Sequence, residues 1–486
     1  MLIGVDIGTQ GTKAALFTAA GQCLATAFQA SRLHRPKPGV VEEDADRQVA
    51  SVCDTIRECV RQARVSRVAG IGIDGQMAGV IGVGADGRAV TPYDSWLDTR
   101  CAPYIARLPV DEVVRTAGGA PSFNHGPKKL WWKHERAVIY RRIRAFVQPG
   151  GYAAMRLCGL SAAQAFVDHT YLHFSGFADN RRRAWNISLC ERVGLDPAKL
   201  PRIVEPQTVI GELTPVMARA CGLKDGTPVV AGCGDTAASF LACGATREGI
   251  CVDVAGTASV FAATTKMYRP DVRHKVLGWG RSAVPGLWHP YAYINGGGMN
   301  LEWFRKEFAC AGSFDALNRA AAKVQPTDDL PMFVPHLAGR VSPSQPHLRG
   351  AWAGLTWAHG VGHLYRAMLE GVALEYGIYR RVLQELNPEL RLRQVRITGG
   401  GEKSAVWNQI KADVLGCGVA RVQTVGAPLG AALVAGFGVG LFRDLDVAAG
   451  AWIKAGRVTL PERKLSGYYA KRLRRYERLL EGLNQW

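Results

Sequence analysis

Several signatures are missing from this 486-residue chain, and each absence removes a class of function. The phosphate-binding pattern G-x-x-x-x-G-K-[ST] is absent, and the glycine turn Gly399-Gly400-Gly401 lacks the G-x-G-x-x-G spacing of the dinucleotide fingerprint. No C-x-x-C pair occurs among the 12 cysteines, and no His/Cys spacing suits zinc, so neither a disulfide framework nor a zinc module is expected. The thiols read as reduced core residues of a cytoplasmic protein. No apolar run has membrane length. The longest, Ala427 to Phe442, is rich in Gly and reads as a buried helix. No cationic leader precedes the first strand, so no signal peptide and no membrane partner are expected. Acidic residues are few beside basic ones, 41 against 60, which leaves a formal charge of +19. The basic residues are nevertheless dispersed. Their short clusters, Arg141 to Arg144, Arg181 to Arg183 and Lys471 to Arg475, read as solvated faces, and no nucleic-acid fold signature accompanies them. A positive field of this kind draws anionic small molecules toward a protein.

What is present is a well-mixed globular composition, 48% hydrophobic and 21% charged, with 56 glycines. The length suits two domains. One short pattern occurs twice, about half the chain apart. Val5-Asp6-Ile7-Gly8-Thr9-Gln10-Gly11-Thr12-Lys13 leads into the apolar Ala14 to Phe17, and Val252-Asp253-Val254-Ala255-Gly256-Thr257-Ala258-Ser259 leads into Val260 to Ala263. Each is a β-hairpin signal with a Gly/Thr turn. Either copy alone reads as an ordinary tight turn. The repetition, with an Asp at the same place in the strand, points to two related domains whose turns hold a polyphosphate on backbone N–H groups.

Strands and helices alternate along the rest of the chain, which argues an α/β class. Val49, Val52, Ile56 and Val60 fall on one face of a helix over Asp44 to Ala63. Pro127 to Arg144 reads as one helix with Leu130, Trp131, His134 and Val138 inward. Gly360 to Leu386 reads as a long helix and Tyr468 to Leu483 as a basic amphipathic one. The domain boundary is expected near residue 244, giving domains 1–244 and 245–486.

Three further segments carry chemistry. Gly232-Cys233-Gly234-Asp235-Thr236 follows a strand and opens a helix, where open α/β sheets present ligand-facing groups. Asp235 there reads equally as a base that accepts a hydroxyl proton and as a helix N-cap. Gly399-Gly400-Gly401, between a strand and a helix, allows backbone to approach a ligand closely. Gln76, Asp98 and Arg100 offer donors and acceptors for a polyol, although each alone reads as ordinary surface polarity.

Taken together these segments resemble the FGGY carbohydrate kinases essentially from end to end. The pattern Asp6-Ile7-Gly8-Thr9-Gln10-Gly11-Thr12-Lys13 is similar to the family's first phosphate loop, and Val254-Ala255-Gly256-Thr257 to its second. Gly75-Gln76-Met77-x-Gly79 and Trp96-x-Asp98-x-Arg100 resemble its sugar-binding segments, and Gly232-x-Gly-Asp235 the segment of its catalytic base. Gly399-Gly400-Gly401 with Ser404, Trp407 and Asp413 resembles its adenosine-binding signature. The resemblance implies the two-domain sugar kinase/actin-like ATPase (ribonuclease H-like) fold with an interdomain active-site cleft. It implies ATP and Mg²⁺ as cofactors and a small sugar or polyol as partner. Homodimers are common in the family, so a homodimer is an expectation as well. The implied catalytic residue is Asp235, with Gln76, Met77, Asp98 and Arg100 on the substrate. ATP falls to Gly8, Thr9, Gln10, Gly11, Thr12, Lys13, Gly256, Thr257, Gly399, Gly400, Gly401 and Lys403, and Mg²⁺ to Asp6 through water. Within the family the motifs are nearest to those of xylulose kinases, which implies D-xylulose as substrate. The departures are Ala78 for His, Leu97 for Asn and Thr236 for Asn. They leave L-xylulose, ribulose, L-fuculose and glycerol as alternatives, and an actin-like ATPase without sugar chemistry as the alternative of another class.

Overall fold

The run Leu2–Ile7 buries both of its faces, as a central strand does, and the first sheet is built around it. In the computed structural model, which describes every residue except Ala311 and Trp486, Leu2–Ile7 pairs antiparallel with Gly11–Phe17 on one side and parallel with Gly70–Gly75 on the other. Cys23–Ala30 closes one edge. Pro228–Val230 and Val209–Glu212 extend the other. The short strand Cys233–Gly234 also runs parallel to Gly70–Gly75, with Cys233 opposite Asp74. The carboxyl ends of three parallel segments therefore meet at one rim.

The chain forms two compact units. The first comprises Met1–Thr246, Trp279–Trp288 and Thr424–Ile453, and the second Arg247–Gly278, His289–Gln423 and Lys454–Trp486. In the first unit the helix Ala45–Ala63 covers one face of the sheet with Val49, Val52, Ile56 and Val60 buried. Its N-cap, Asp44, accepts from the Asp46 and Arg47 N–H groups, a contribution of about 1 kcal/mol. Another helix on this sheet comes from late in the sequence. Ala427–Gly438 lies so close to the strands that a Cβ on Gly4 would stand 1.7 Å from the Pro428 carbonyl oxygen. The long apolar run is thus a buried helix, and among the described residues no helix is long and apolar enough to cross a membrane.

The second unit repeats the arrangement. Ile250–Ala255 pairs antiparallel with Ser259–Ala263 and parallel with Gln394–Thr398, and Gly418–Val422 and Ala455–Thr459 follow outward. Asp6 and Asp253 occupy equivalent places in the two central strands.

Two sequence expectations need correction. The segment expected as one helix from Pro127 to Arg144 is two, His125–Glu135 and Ala137–Arg142. Arg136 leaves helical geometry (φ −136°, ψ 49°), the helical phase restarts, and His134 and Val138 are exposed rather than inward. The basic cluster Lys471 to Arg475 is not wholly solvated. Arg472 is buried and donates to Glu370 and to the Leu330 and Pro331 carbonyls.

Candidate active site

In the first unit, Gly8 and Gly11 exchange both backbone hydrogen bonds (3.1 and 3.3 Å), so Thr9 and Gln10 form a two-residue turn whose N–H groups stand outside the ladder. Thr9 ties this turn to the polyol segments. Its hydroxyl accepts from Trp96 Nε1 at 2.8 Å and donates to Gln76 Oε1 at 3.4 Å. Gln76 Nε2 in turn donates to Glu43 at 3.4 Å. Thr12 and Lys13 point elsewhere. The Ser51 hydroxyl spends its proton on the Gln48 carbonyl, so Thr12 donates to Ser51 (2.6 Å), under the helix. Lys13 Nζ donates to the Val425 carbonyl at 2.7 Å.

Asp98 and Arg100 are brought together, largely with each other. Arg100 bonds Asp98, Asp94 and Glu42 and stacks its guanidinium 4.3 Å from the Trp131 ring centre. Asp98 also accepts from the Val41 N–H. Lys128, fully buried, donates to the Ser95 and Asp98 carbonyls at 2.9 Å each and so fixes the loop that presents Trp96, which is 42% exposed. The geometry of Asp98 and Arg100 is that of a clamp on this loop. Met77 is buried against Tyr171, and its carbonyl meets His125 Nε2 at 2.6 Å.

Asp235 is the first residue of the helix Asp235–Ala242; the N-cap position belongs to Gly234, which has no side chain to offer. The carboxyl is therefore not consumed as a cap. It accepts from the Thr236 hydroxyl at 3.1 Å. Burial, then the charge of Asp6, raises its pKa to about 7. The backbone under it is held by Thr170, whose hydroxyl donates to Asp168 (2.5 Å) and accepts from the Gly234 N–H (2.9 Å). Asp6 and Asp74 stand opposite each other on the parallel strands. Burial raises both pKa values, and the charge of Asp6 raises Asp74 further. Asp6 Oδ1 has no hydrogen-bond donor, which is the environment a divalent cation suits. Among the described residues no group of three or more His, Cys, Asp or Glu side chains closes a metal cage. Water and phosphate oxygens would have to complete such a shell.

In the second unit, the turn Gly256-Thr257 caps the helix Gly297–Glu307. The Gly298 and Met299 N–H groups donate to the Gly256 and Thr257 carbonyls at 3.0 Å. The Gly399-Gly400 turn lies beside it. Gly399 has φ +92°, and a Cβ there would stand 2.7 Å from the Ala255 carbonyl oxygen. Gly399 and Gly400 are exposed, Gly401 half-buried, and Lys403 exposed. Ser404 caps the following helix Ala405–Leu415, whose Trp407 is buried and donates to the Leu369 carbonyl. Asp253 is spent on a buried ion pair with Lys411 (2.5 Å) and accepts from the Tyr376 hydroxyl at 2.8 Å.

Sequence reasoning missed Asp74, Thr170, Glu43 and Tyr171, whose hydroxyl donates to the Gly75 carbonyl. Only strand register could have singled out Asp74, and nothing local marks the others.

The N-terminal domain of the FGGY family of carbohydrate kinases matches residues 1–242, and its C-terminal domain residues 251–439. The xylulose kinase of Escherichia coli (strain K12) is 28% identical over 86% of this chain and 85% of its own. The gluconokinase of Bacillus subtilis (strain 168) is 25% identical over 85% of this chain and 82% of its own. A crystal structure of the Brucella ovis "xyloylose kinase" superposes with a TM-score of 0.91 at 27% identity, covering 100% of this chain and 99% of that one.

Proposed function

Because the chain belongs to the FGGY family of carbohydrate kinases, we propose that it transfers the γ-phosphoryl group of ATP to the terminal hydroxyl of a ketopentose, D-xylulose. The observation that carries this reading is Asp235. It is a carboxyl at a strand-to-helix junction with its pKa raised to about 7, on the rim that also bears Asp6. A base is most effective when its pKa lies near the working pH.

In this reading Asp235 accepts the proton of the attacking hydroxyl, and Thr170 holds the backbone that aims it. Gln76, Met77 and the Trp96 loop, braced by Asp98, Arg100 and Lys128, bind the polyol. In the first unit the Thr9-Gln10 turn offers its N–H groups to phosphate oxygens; in the second unit Gly256-Thr257, Gly399–Gly401 and Lys403 are the residues assigned to nucleotide. Asp6 would hold Mg²⁺, which neutralises charge on the transferring phosphoryl group. Such transfer needs positioning and charge neutralisation more than covalent help from the protein. Two of the three relatives named above are xylulose kinases, which supports xylulose as the acceptor, and the free cysteines suit the reducing cytoplasm.

The test is coupled ADP release with Mg-ATP across D-xylulose, L-xylulose, ribulose, L-fuculose, glycerol and gluconate. D-Xylulose gives the highest kcat/KM, and Asp235→Asn lowers kcat by roughly 10²–10⁴-fold. ATP turnover indifferent to every polyol would remove the kinase reading.

A further inference from the structure

We propose that Asp74 is a second protein ligand of the divalent cation, seated beside Asp6 as a pair of carboxylates. The proposal deepens the kinase reading and rests on it for the identity of the cation. Three observations carry it.

The first is register. Asp6 and Asp74 are direct partners on neighbouring parallel strands, so their side chains leave the same face of the sheet side by side. The strand Cys233–Gly234 continues this rim, so Asp235 follows immediately beside them.

The second is satisfaction. Asp74 has no solvent exposure, and neither of its oxygens meets a hydrogen-bond donor; Asp6 Oδ1 is in the same position. The other buried carboxylates of this chain are treated differently. Asp94 accepts from Trp132 and Arg100, and Asp168 from Thr170. Glu370 meets Arg366 and Arg472, and Glu375 meets His336, Arg340 and Tyr476. Asp253 meets Lys411. A buried carboxylate without donor or cation is costly, and two adjacent ones are more so. Among the described residues the fold supplies partners to these carboxylates and withholds them from Asp74 and from Asp6 Oδ1.

The third is chemistry. A hard divalent cation takes oxygen ligands, and Mg²⁺ in phosphoryl-transfer sites is commonly held by one or two carboxylates plus phosphate oxygens. Asp6 and Asp74 provide two, next to the turn that offers its N–H groups to phosphate. A Cβ on Gly8 would stand 3.5 Å from Asp6 Oδ2, so the carboxylate lies against the phosphate turn itself. The competing arrangement is one proton shared between Asp6 and Asp74, which needs no cation.

Mn²⁺ separates the two. The full-length protein is titrated with Mn²⁺ in the absence of nucleotide, and free Mn²⁺ is followed by electron paramagnetic resonance. The wild type binds Mn²⁺, and Asp74→Asn weakens binding by roughly tenfold or more, as Asp6→Asn does. Asp74→Asn with wild-type affinity overturns the inference, as does a wild type that binds none. Thermal unfolding gives a second readout. Mn²⁺ raises the melting temperature of the wild type, and at the same Mn²⁺ concentration raises that of Asp74→Asn less; equal shifts in both overturn the inference. Sugar-dependent ADP release keeps the two readings apart. Asp74-dependent Mn²⁺ binding without sugar phosphorylation removes the kinase reading and leaves the site standing. Sugar phosphorylation with Asp74-independent Mn²⁺ binding does the reverse.

Discussion

Thr170→Val preserves the shape of the side chain and removes one hydroxyl. That hydroxyl makes two buried bonds, one donated to Asp168 and one accepted from the Gly234 N–H. Thr170 has no exposure, so water cannot replace either. An orphaned buried N–H costs about 1–3 kcal/mol, and a lost bond to a charged group costs about as much again. The sum, about 2–6 kcal/mol, corresponds to a melting temperature lower by roughly 5–20 °C for a unit of this size.

The loss depends on pH, and its sign can be worked out. Burial raises the Asp168 pKa to about 7, and the bonds from Thr170 pull against that rise. A raised acid costs stability progressively as pH climbs from its ordinary value to its folded one. Without the hydroxyl the folded pKa rises further. The deficit of Thr170→Val is therefore smaller at pH 5.5, where Asp168 is protonated in both proteins and the orphaned Gly234 N–H accounts for most of it, and larger at pH 8. Because Gly234 directly precedes Asp235, kcat also falls, by up to roughly 10²-fold for a displacement of about 1 Å. Differential scanning fluorimetry at the two pH values, beside steady-state kinetics, reads both effects, and Thr170→Ser restores them. Wild-type melting and turnover in Thr170→Val would refute the bridge. An equal deficit at both pH values would refute the part assigned to Asp168.

The acid limb of the pH profile of kcat/KM follows Asp235. The carboxyl must be ionised to accept a proton, so activity rises with pH through about 7 and falls roughly tenfold per unit below it; a limb near 4 would remove Asp235 as the base. Gly399→Ala forces a Cβ to within 2.7 Å of the Ala255 carbonyl at a positive φ, which costs of order 1–3 kcal/mol. It raises KM for ATP more than KM for sugar, and an unchanged nucleotide KM contradicts a nucleotide role for this turn. Lys411→Met leaves Asp253 buried without its counter-ion, held only by the Tyr376 hydroxyl, which costs about 3–5 kcal/mol. Chemical denaturation measures the loss, and Lys411→Met with Asp253→Asn recovers part of it.

Local spacing made much of this molecule readable. The two hairpins, the helix with Val49, Val52, Ile56 and Val60, and the glycine-bearing turns at Gly232 and Gly399 all follow from a few adjacent residues. What escaped depends on residues distant in sequence. Asp74 is one acidic residue at the end of an apolar strand, and only the neighbouring strand gives it a partner in Asp6. The helix Ala427–Gly438 is apolar on all sides, so its periodicity shows no face, and nothing local reveals that it packs in the first unit with Leu2–Ile7. Asp98 and Arg100 stood out as polar residues beside a Trp. They bond each other directly, and the further partners of Arg100, Asp94 and Glu42, are set by the fold.

The equivalent aspartates Asp6 and Asp253 show how two copies of one architecture divide labour. In the second unit the negative charge at this position is cancelled by an ammonium group built into the chain, Lys411, seated over the Trp407 ring and closed off from solvent. That counter-ion is permanent. A chelator cannot strip it, and no change in free metal concentration can alter it. In the first unit the corresponding carboxylate forms no ion pair among the described residues, and on the proposal above its counter-ion is borrowed from solution. One half of the molecule is thus indifferent to the ionic composition around it, and the other is responsive. On that proposal free divalent metal becomes a control on the Asp6 rim while leaving the Asp253–Lys411 pair of the second unit untouched.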